Sequence, residues 1–79
     1  MAPSAASLFD AWLEKNGITY TEAARRIGVK DSTVLRWASG ARKPGIDDAI
    51  AIEKLTGGVI RAEDWPHLAA LRSLRLRRV

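Results

Sequence analysis

The stretch Thr19-Tyr20-Thr21-Glu22-Ala23-Ala24-Arg25-Arg26-Ile27-Gly28-Val29-Lys30-Asp31-Ser32-Thr33-Val34-Leu35-Arg36-Trp37-Ala38-Ser39-Gly40 decides the fold. Thr19 followed by Glu22 three residues later reads as a reciprocal cap on a helix start. Ala23, Ala24 and Ile27 share one helical face and Gly28 stops it, so the spacing predicts a helix over Tyr20–Ile27. A second helix is expected from Asp31 or Ser32 to Ser39, with Val34, Trp37 and Ala38 inward and Gly40 as its end. Two short helices joined by so brief a turn must cross steeply and close together. The crossing needs a small side chain, and Ala24 supplies it. The turn needs one residue at positive φ, and Gly28 supplies that. Val29 then fills the underside of the turn.

Working outward, Leu8, Phe9, Trp12 and Leu13 fall on one face of a preceding helix expected from about Ser7 to Lys15, with Ser7 at its start and Asn16-Gly17 at its end. On the other side, Ala41-Arg42-Lys43-Pro44-Gly45 reads as a loop. Ile46–Thr56 reads as a helix with Ile46, Ala49, Ile50, Ile52 and Leu55 as its apolar surface, and Asp47 and Asp48 favour the positive end of its dipole. Gly57-Gly58 ends it. Val59 to Pro66 is expected to be a short extended piece and then a turn that delivers Trp65 to the core. Leu68, Leu71 and Leu74 predict a last helix from near Pro66 to about Ser73, while Leu74-Arg75-Leu76-Arg77 alternates like extended chain. No internal repeat and no linker divides the sequence, so residues 1–79 are read as one domain with an Arg-rich tail from about residue 72.

The composition narrows the function. The chain has 79 residues, no cysteine and one histidine, so disulfides, cysteine zinc sites and multi-histidine metal sites are excluded. A domain this small buries only about 60–65% of its unfolded surface, which makes a second copy a natural source of stability. No apolar run approaches the roughly 18 residues of a membrane span, and Met1-Ala2-Pro3-Ser4 has no basic start before an apolar run, so the expectation is a cytoplasmic protein without a secretory signal. Hydrophobic residues make up 47% and charged residues 28%, as in a folded globular domain. The formal net charge is +4, and it is segregated. Arg25 to Lys43 carries +5, Arg72 to Val79 carries +4, and everything else carries −5. A basic stripe confined to one segment is the footprint of a polyanion site. No catalytic constellation is present: His67 stands alone, reading as a surface or helix-start residue. The pairs Asp47-Asp48 and Glu63-Asp64 splay around helix starts instead of converging. Gly57-Gly58 lacks the flanks of a phosphate loop. Neither an enzyme, a cofactor nor a small-molecule ligand is expected.

Thr19 to Val29, then Asp31-Ser32-Thr33-Val34-Leu35-Arg36-Trp37, Ser39-Gly40 and Arg42-Lys43-Pro44, resemble the Cro/CI-type helix-turn-helix repressors of phages and bacteria. The continuation Ala49 to Val59 and Glu63-Asp64-Trp65 is similar to small Cro-like and YdaS-like prophage regulators. The resemblance covers roughly Leu8 to Trp65. It implies an all-α, lambda-repressor-like bundle of four to five short helices. It also implies a homodimer that represses transcription from a palindromic operator of double-stranded DNA. The YdaS-like side implies an alternative, an antitoxin-like module that grips a partner protein through its C-terminal tail and represses its own operon. Two residues depart from the family pattern. Tyr20 stands where Gln is common, and Lys30-Asp31 stands where a small polar cap and Gln are common.

In that frame the second motif helix lies in the major groove with its N-terminal end inward. Asp31, Ser32, Thr33, Leu35 and Arg36 are its candidate base-reading residues. The Arg36 fork matches guanine O6 and N7, Leu35 suits a thymine methyl, and Asp31 either accepts from cytosine N4 or caps the helix. The candidate phosphate contacts are Tyr20 and Thr21 at the start of the first motif helix, Lys30 in the turn, Ser39, and Arg42 and Lys43 in the following loop. Arg25 and Arg26 are expected on an exposed face, adding field.

Overall fold

The computed structural model describes residues 4–76. It is all-helical, with no strand among the described residues: α1 Ala5–Lys15, α2 Tyr20–Ile27, α3 Asp31–Ser39, α4 Ile46–Leu55, two 3-10 turns at Ala62–Asp64 and Pro66–Leu68, and α5 Leu71–Leu76. No helix among them is long and apolar enough to cross a membrane.

α1 starts two residues earlier than the serine pattern suggested. Ser4, not Ser7, is the cap, and its hydroxyl accepts the Ser7 N–H at 3.1 Å. The buried stripe is therefore Ala5, Phe9 and Leu13, spaced by four. Trp12 is half-buried beside it, and Leu8, expected inward, is 43% exposed because it lies off that stripe.

α2 and α3 have the predicted bounds and pack closely against each other. Ala23 and Ala24 are buried at the crossing, and Gly28 sits at φ +92° with its N–H on the Ala24 carbonyl at 2.7 Å. Only half of the expected reciprocal cap forms. The Thr19 hydroxyl accepts the Glu22 N–H at 3.1 Å, but the Glu22 carboxylate turns forward to Arg25 and Arg26. Two guanidiniums one turn away attract it more strongly than a single N–H behind it. Val34, Trp37 and Ala38 are the inward residues of α3, and α3 also packs on α1. Trp37, Phe9, Leu13, Val34, Ile52 and Ile60 are the large fully buried side chains. Burying each is worth about 1.5–3 kcal/mol before the entropy of ordering the chain is set against it.

α4 buries Ala49 and Ile52 and half-buries Ile50 and Leu55, while Ile46, in its first turn, is 46% exposed instead of joining the apolar surface. Thr56 caps the helix end, and its hydroxyl accepts the Ile60 N–H at 3.1 Å. Glu53 Oε1 accepts the Ala62 N–H at 2.9 Å, tying α4 to the first 3-10 turn. Trp65 reaches the core as expected, with 3% exposure. Beyond it the chain departs from the continuous helix that the leucine spacing predicted from Pro66. Leu68 N–H bonds Trp65 O and Ala69 N–H bonds Pro66 O, so the chain advances in 3-10 steps between the buried Trp65 and a tethered His67. The α-helix begins only at Leu71 and runs past Ser73 to Leu76, where an extended piece was expected. The remainder of the alternating tail, residues 77–79, lies outside the described residues.

Candidate nucleic-acid interface

The packing of Val34, Trp37 and Ala38 turns the opposite side of α3 to solvent. Asp31, Ser32, Leu35 and Arg36 are exposed there, and Leu35 is 47% accessible with no core contact to explain its apolar character. Thr33 is half-buried at the edge of this face. A solvent-open depression of about 370 Å³ lies between the starts of α2 and α3, lined by Thr19, Tyr20, Thr21, Asp31, Ser32 and Leu35. Polar and apolar groups therefore alternate along a notch between two helix N-termini, where unpartnered N–H groups and the dipoles favour an anion. A second depression of similar size lies on the α1 side, lined by Asp10, Leu13, Glu14, Ile18, Thr19 and Tyr20. It carries two carboxylates where the notch carries only that of Asp31, so it is the more negative of the two hollows.

Three polar residues behave differently from the expectation. Asp31 is the first residue of α3 instead of its cap; Lys30 holds the cap position without a side-chain bond. Asp31 Oδ1 accepts the Ser32 N–H at 2.8 Å, which satisfies one open donor of the first turn and fixes the carboxylate beside the notch. Tyr20, a candidate phosphate contact, donates its O–H to Asp10 Oδ1 of α1 at 2.6 Å. An ionised carboxylate is the strongest acceptor in reach. That bond, burial and the charges of Asp10 and Glu14 hold the Tyr20 phenol above its ordinary ionisation range. The Ser39 hydroxyl donates back to the Arg36 carbonyl at 3.2 Å.

The cations fall into two groups. Arg25 and Arg26 grip Glu22, with the nearest contacts at 2.7 and 3.0 Å, and their hydrogen bonds hold the Glu22 carboxyl below its ordinary range. Arg72 lies 3.8 Å from Asp64. Outside these pairs stand Lys15, Lys54 and Arg61, scattered over other elements, and the exposed Lys30, Arg36, Arg42 and Lys43. The last four cluster in sequence around α3: one in the turn before it, one on its outer face and two in the loop after it. That loop is held at both ends. Arg42 N–H donates to the Arg36 carbonyl at 3.2 Å, and the Pro44 carbonyl meets His67 Nε2 at 2.6 Å. The His67 brace was invisible to a reading by spacing, since its partner lies 23 residues away. No group of metal-ligating side chains occurs among the described residues.

A family model described as helix-turn-helix matches residues 10–59, more than half of the chain. The match spans the second half of α1 and all of α2, α3 and α4, and ends before the two 3-10 turns. No curated protein and no solved structure matches the chain.

Proposed function

This chain belongs to the Cro/CI-type helix-turn-helix family of DNA-binding transcription regulators, and on that footing we propose that it is a repressor that reads a palindromic operator as a homodimer, with α3 in the major groove. The observation that carries the reading is the set of unpaired cations Lys30, Arg36, Arg42 and Lys43 surrounding the one outward face that also offers Ser32, Leu35 and Asp31.

Within this reading each residue has a task set by its chemistry. Arg36 donates its fork to guanine O6 and N7. Leu35 covers a thymine methyl, Ser32 donates to a base edge or phosphate, and the free oxygen of Asp31 accepts from cytosine N4. Thr33, half-buried, contributes at the rim. Lys30, Arg42 and Lys43 hold the backbone phosphates, joined by Thr21 and the N-terminal N–H groups of α2. Ser39 and Tyr20 contribute less, because their hydroxyl protons are already donated within the protein. Two features support the dimer. Ile46, Val59 and Leu74, on elements other than α3, leave apolar surface exposed. The protein measures 36 × 29 × 21 Å, a size that lets two adjoining copies span the roughly 34–36 Å of one DNA turn.

The test is selection of duplexes from a random library at physiological salt. The expected result is an inverted repeat with half-sites one helical turn apart and a guanine within each. Binding that shows no sequence preference and vanishes at moderate salt would overturn the specific-repressor reading and move the role to a partner protein, as in the antitoxin-like alternative.

A further inference from the structure

Pro44 is among the fully buried residues, and its carbonyl needs a donor. His67 provides one: Nε2 lies 2.6 Å from the carbonyl oxygen. A carbonyl only accepts, so Nε2 carries the proton in this contact. The bond joins the second 3-10 turn, outside the family match, to the loop that presents Arg42 and Lys43. The other end of the loop is fixed by Arg42 N–H on the Arg36 carbonyl. Arg42 and Lys43 therefore stand between two anchors, one local and one supplied from the C-terminal segment. The segment itself is well seated, because Trp65, two residues before His67, is buried in the core.

We propose that His67 is a positioning residue for DNA binding: its Nε2–H fixes the Pro44 carbonyl and so holds Arg42 and Lys43 at the height of the phosphate backbone. The proposal rests on the reading of that loop as a phosphate contact. Without the bond, the loop keeps its charges and the buried Pro44 ring but loses the restraint on the Pro44 carbonyl, and phosphate contacts must then restrict it further on binding. The C-terminal segment thereby contributes to DNA affinity without touching DNA.

The test compares the full chain with His67→Ala, His67→Asn and His67→Gln, and with the double variant Arg42→Ala/Lys43→Ala as benchmark. The probe is one mixed-sequence DNA duplex, titrated at several salt concentrations, with melting temperature recorded for every protein. The Gln amide nitrogen stands the same number of bonds from the backbone as His Nε2, whereas the Asn nitrogen is one bond short. The benchmark should reduce the slope of log affinity against log salt by about 1.8, two phosphate contacts at about 0.9 each. His67→Ala and His67→Asn should weaken binding about two- to tenfold, the range of one hydrogen bond, and reduce the slope by about 1. His67→Gln should restore both. A purely structural role would lower the melting temperature and leave the slope of the folded fraction unchanged, which overturns the proposal. Equal behaviour of the Asn and Gln variants overturns it too, and that pair carries the test if the Ala variant does not fold. A benchmark with an unchanged slope would refute the phosphate-loop reading itself and the proposal with it. A reduced benchmark slope beside a wild-type slope in His67→Ala would refute the positioning role alone.

Discussion

Replacing Gly28 tests whether backbone conformation, and not space, sets the angle between α2 and α3. Gly28 lies at φ +92°, and a Cβ built there meets nothing within 4 Å. Any loss in Gly28→Ala is therefore conformational. An L-residue in the left-handed region costs roughly 1–2 kcal/mol. For a domain of this size about 1 kcal/mol moves the melting temperature by about 4–8 °C, so the expected drop is about 5–15 °C. Size and conformation can be separated with Gly28→Asn. Asn is larger than Ala but tolerates positive φ far better, so its loss should be smaller, while β-branched Gly28→Val should lose most. The measurement is thermal unfolding by far-ultraviolet circular dichroism. A ranking by side-chain volume, with Asn worse than Ala, would refute the reasoning, as would an Ala variant with an unchanged melting temperature.

Arg36→Ala should abolish preference at one operator base, about five- to one-hundred-fold, with an unchanged melting temperature because the side chain has no protein partner; uniform weakening on all duplexes would remove its base-reading role. Replacing the thymine opposite Leu35 by uracil removes one methyl group and should cost about fourfold in affinity, a difference that Leu35→Ala should erase in competition assays. The three phosphate cations Lys30, Arg42 and Lys43 predict a log–log salt slope of about −2.7 per chain; a markedly steeper slope would show that Arg25, Arg26 or the tail arginines also reach phosphate. Tyr20→Phe should lower stability at neutral pH by about 1 kcal/mol. Since the folded phenol is held above the value of 10.0, that contribution is complete below this pH and is lost as the pH rises through the raised folded value, so denaturation curves of the two proteins should converge at high pH.

The helical hairpin was legible because its determinants are local. Thr19, Ala24, Gly28, Val34 and Trp37 act over fewer than twenty residues, and each satisfies a steric or hydrogen-bond need of its neighbours. The outward set on α3 followed from the inward one by helical geometry. The failures have a common form, a choice between near-equal local partners settled by distant ones. Ser4 and Ser7 both cap well, and their positions three apart let one serve the other. Leucines at three-residue spacing fit an α-helix or 3-10 turns equally, and the anchors at Trp65 and His67 decided between them. The Tyr20 hydroxyl, read only as a candidate phosphate contact, also has a carboxylate ten residues away in sequence at 2.6 Å. No spacing rule reports either long-range bond.

The same comparison explains why the charge total misleads. Arg25 and Arg26 belong to the basic segment, yet Glu22 lies one turn away on the same helix and holds both. Exposed pairs of this kind are worth only about 0–1 kcal/mol, so they do little for the fold. Their effect is on what remains available. A guanidinium shared with a carboxylate must give up that partner before it can meet a phosphate, whereas Lys30, Arg36, Arg42 and Lys43 have no competitor among the described residues. Asp10 acts in the same direction from α1. By accepting the Tyr20 hydrogen bond it occupies that donor beside Leu35, which on the proposed reading suits that end of the notch to a methyl group while the cations take the backbone. On the proposed reading, specificity and affinity are in this way assigned to different residues by which carboxylates the fold brings within reach.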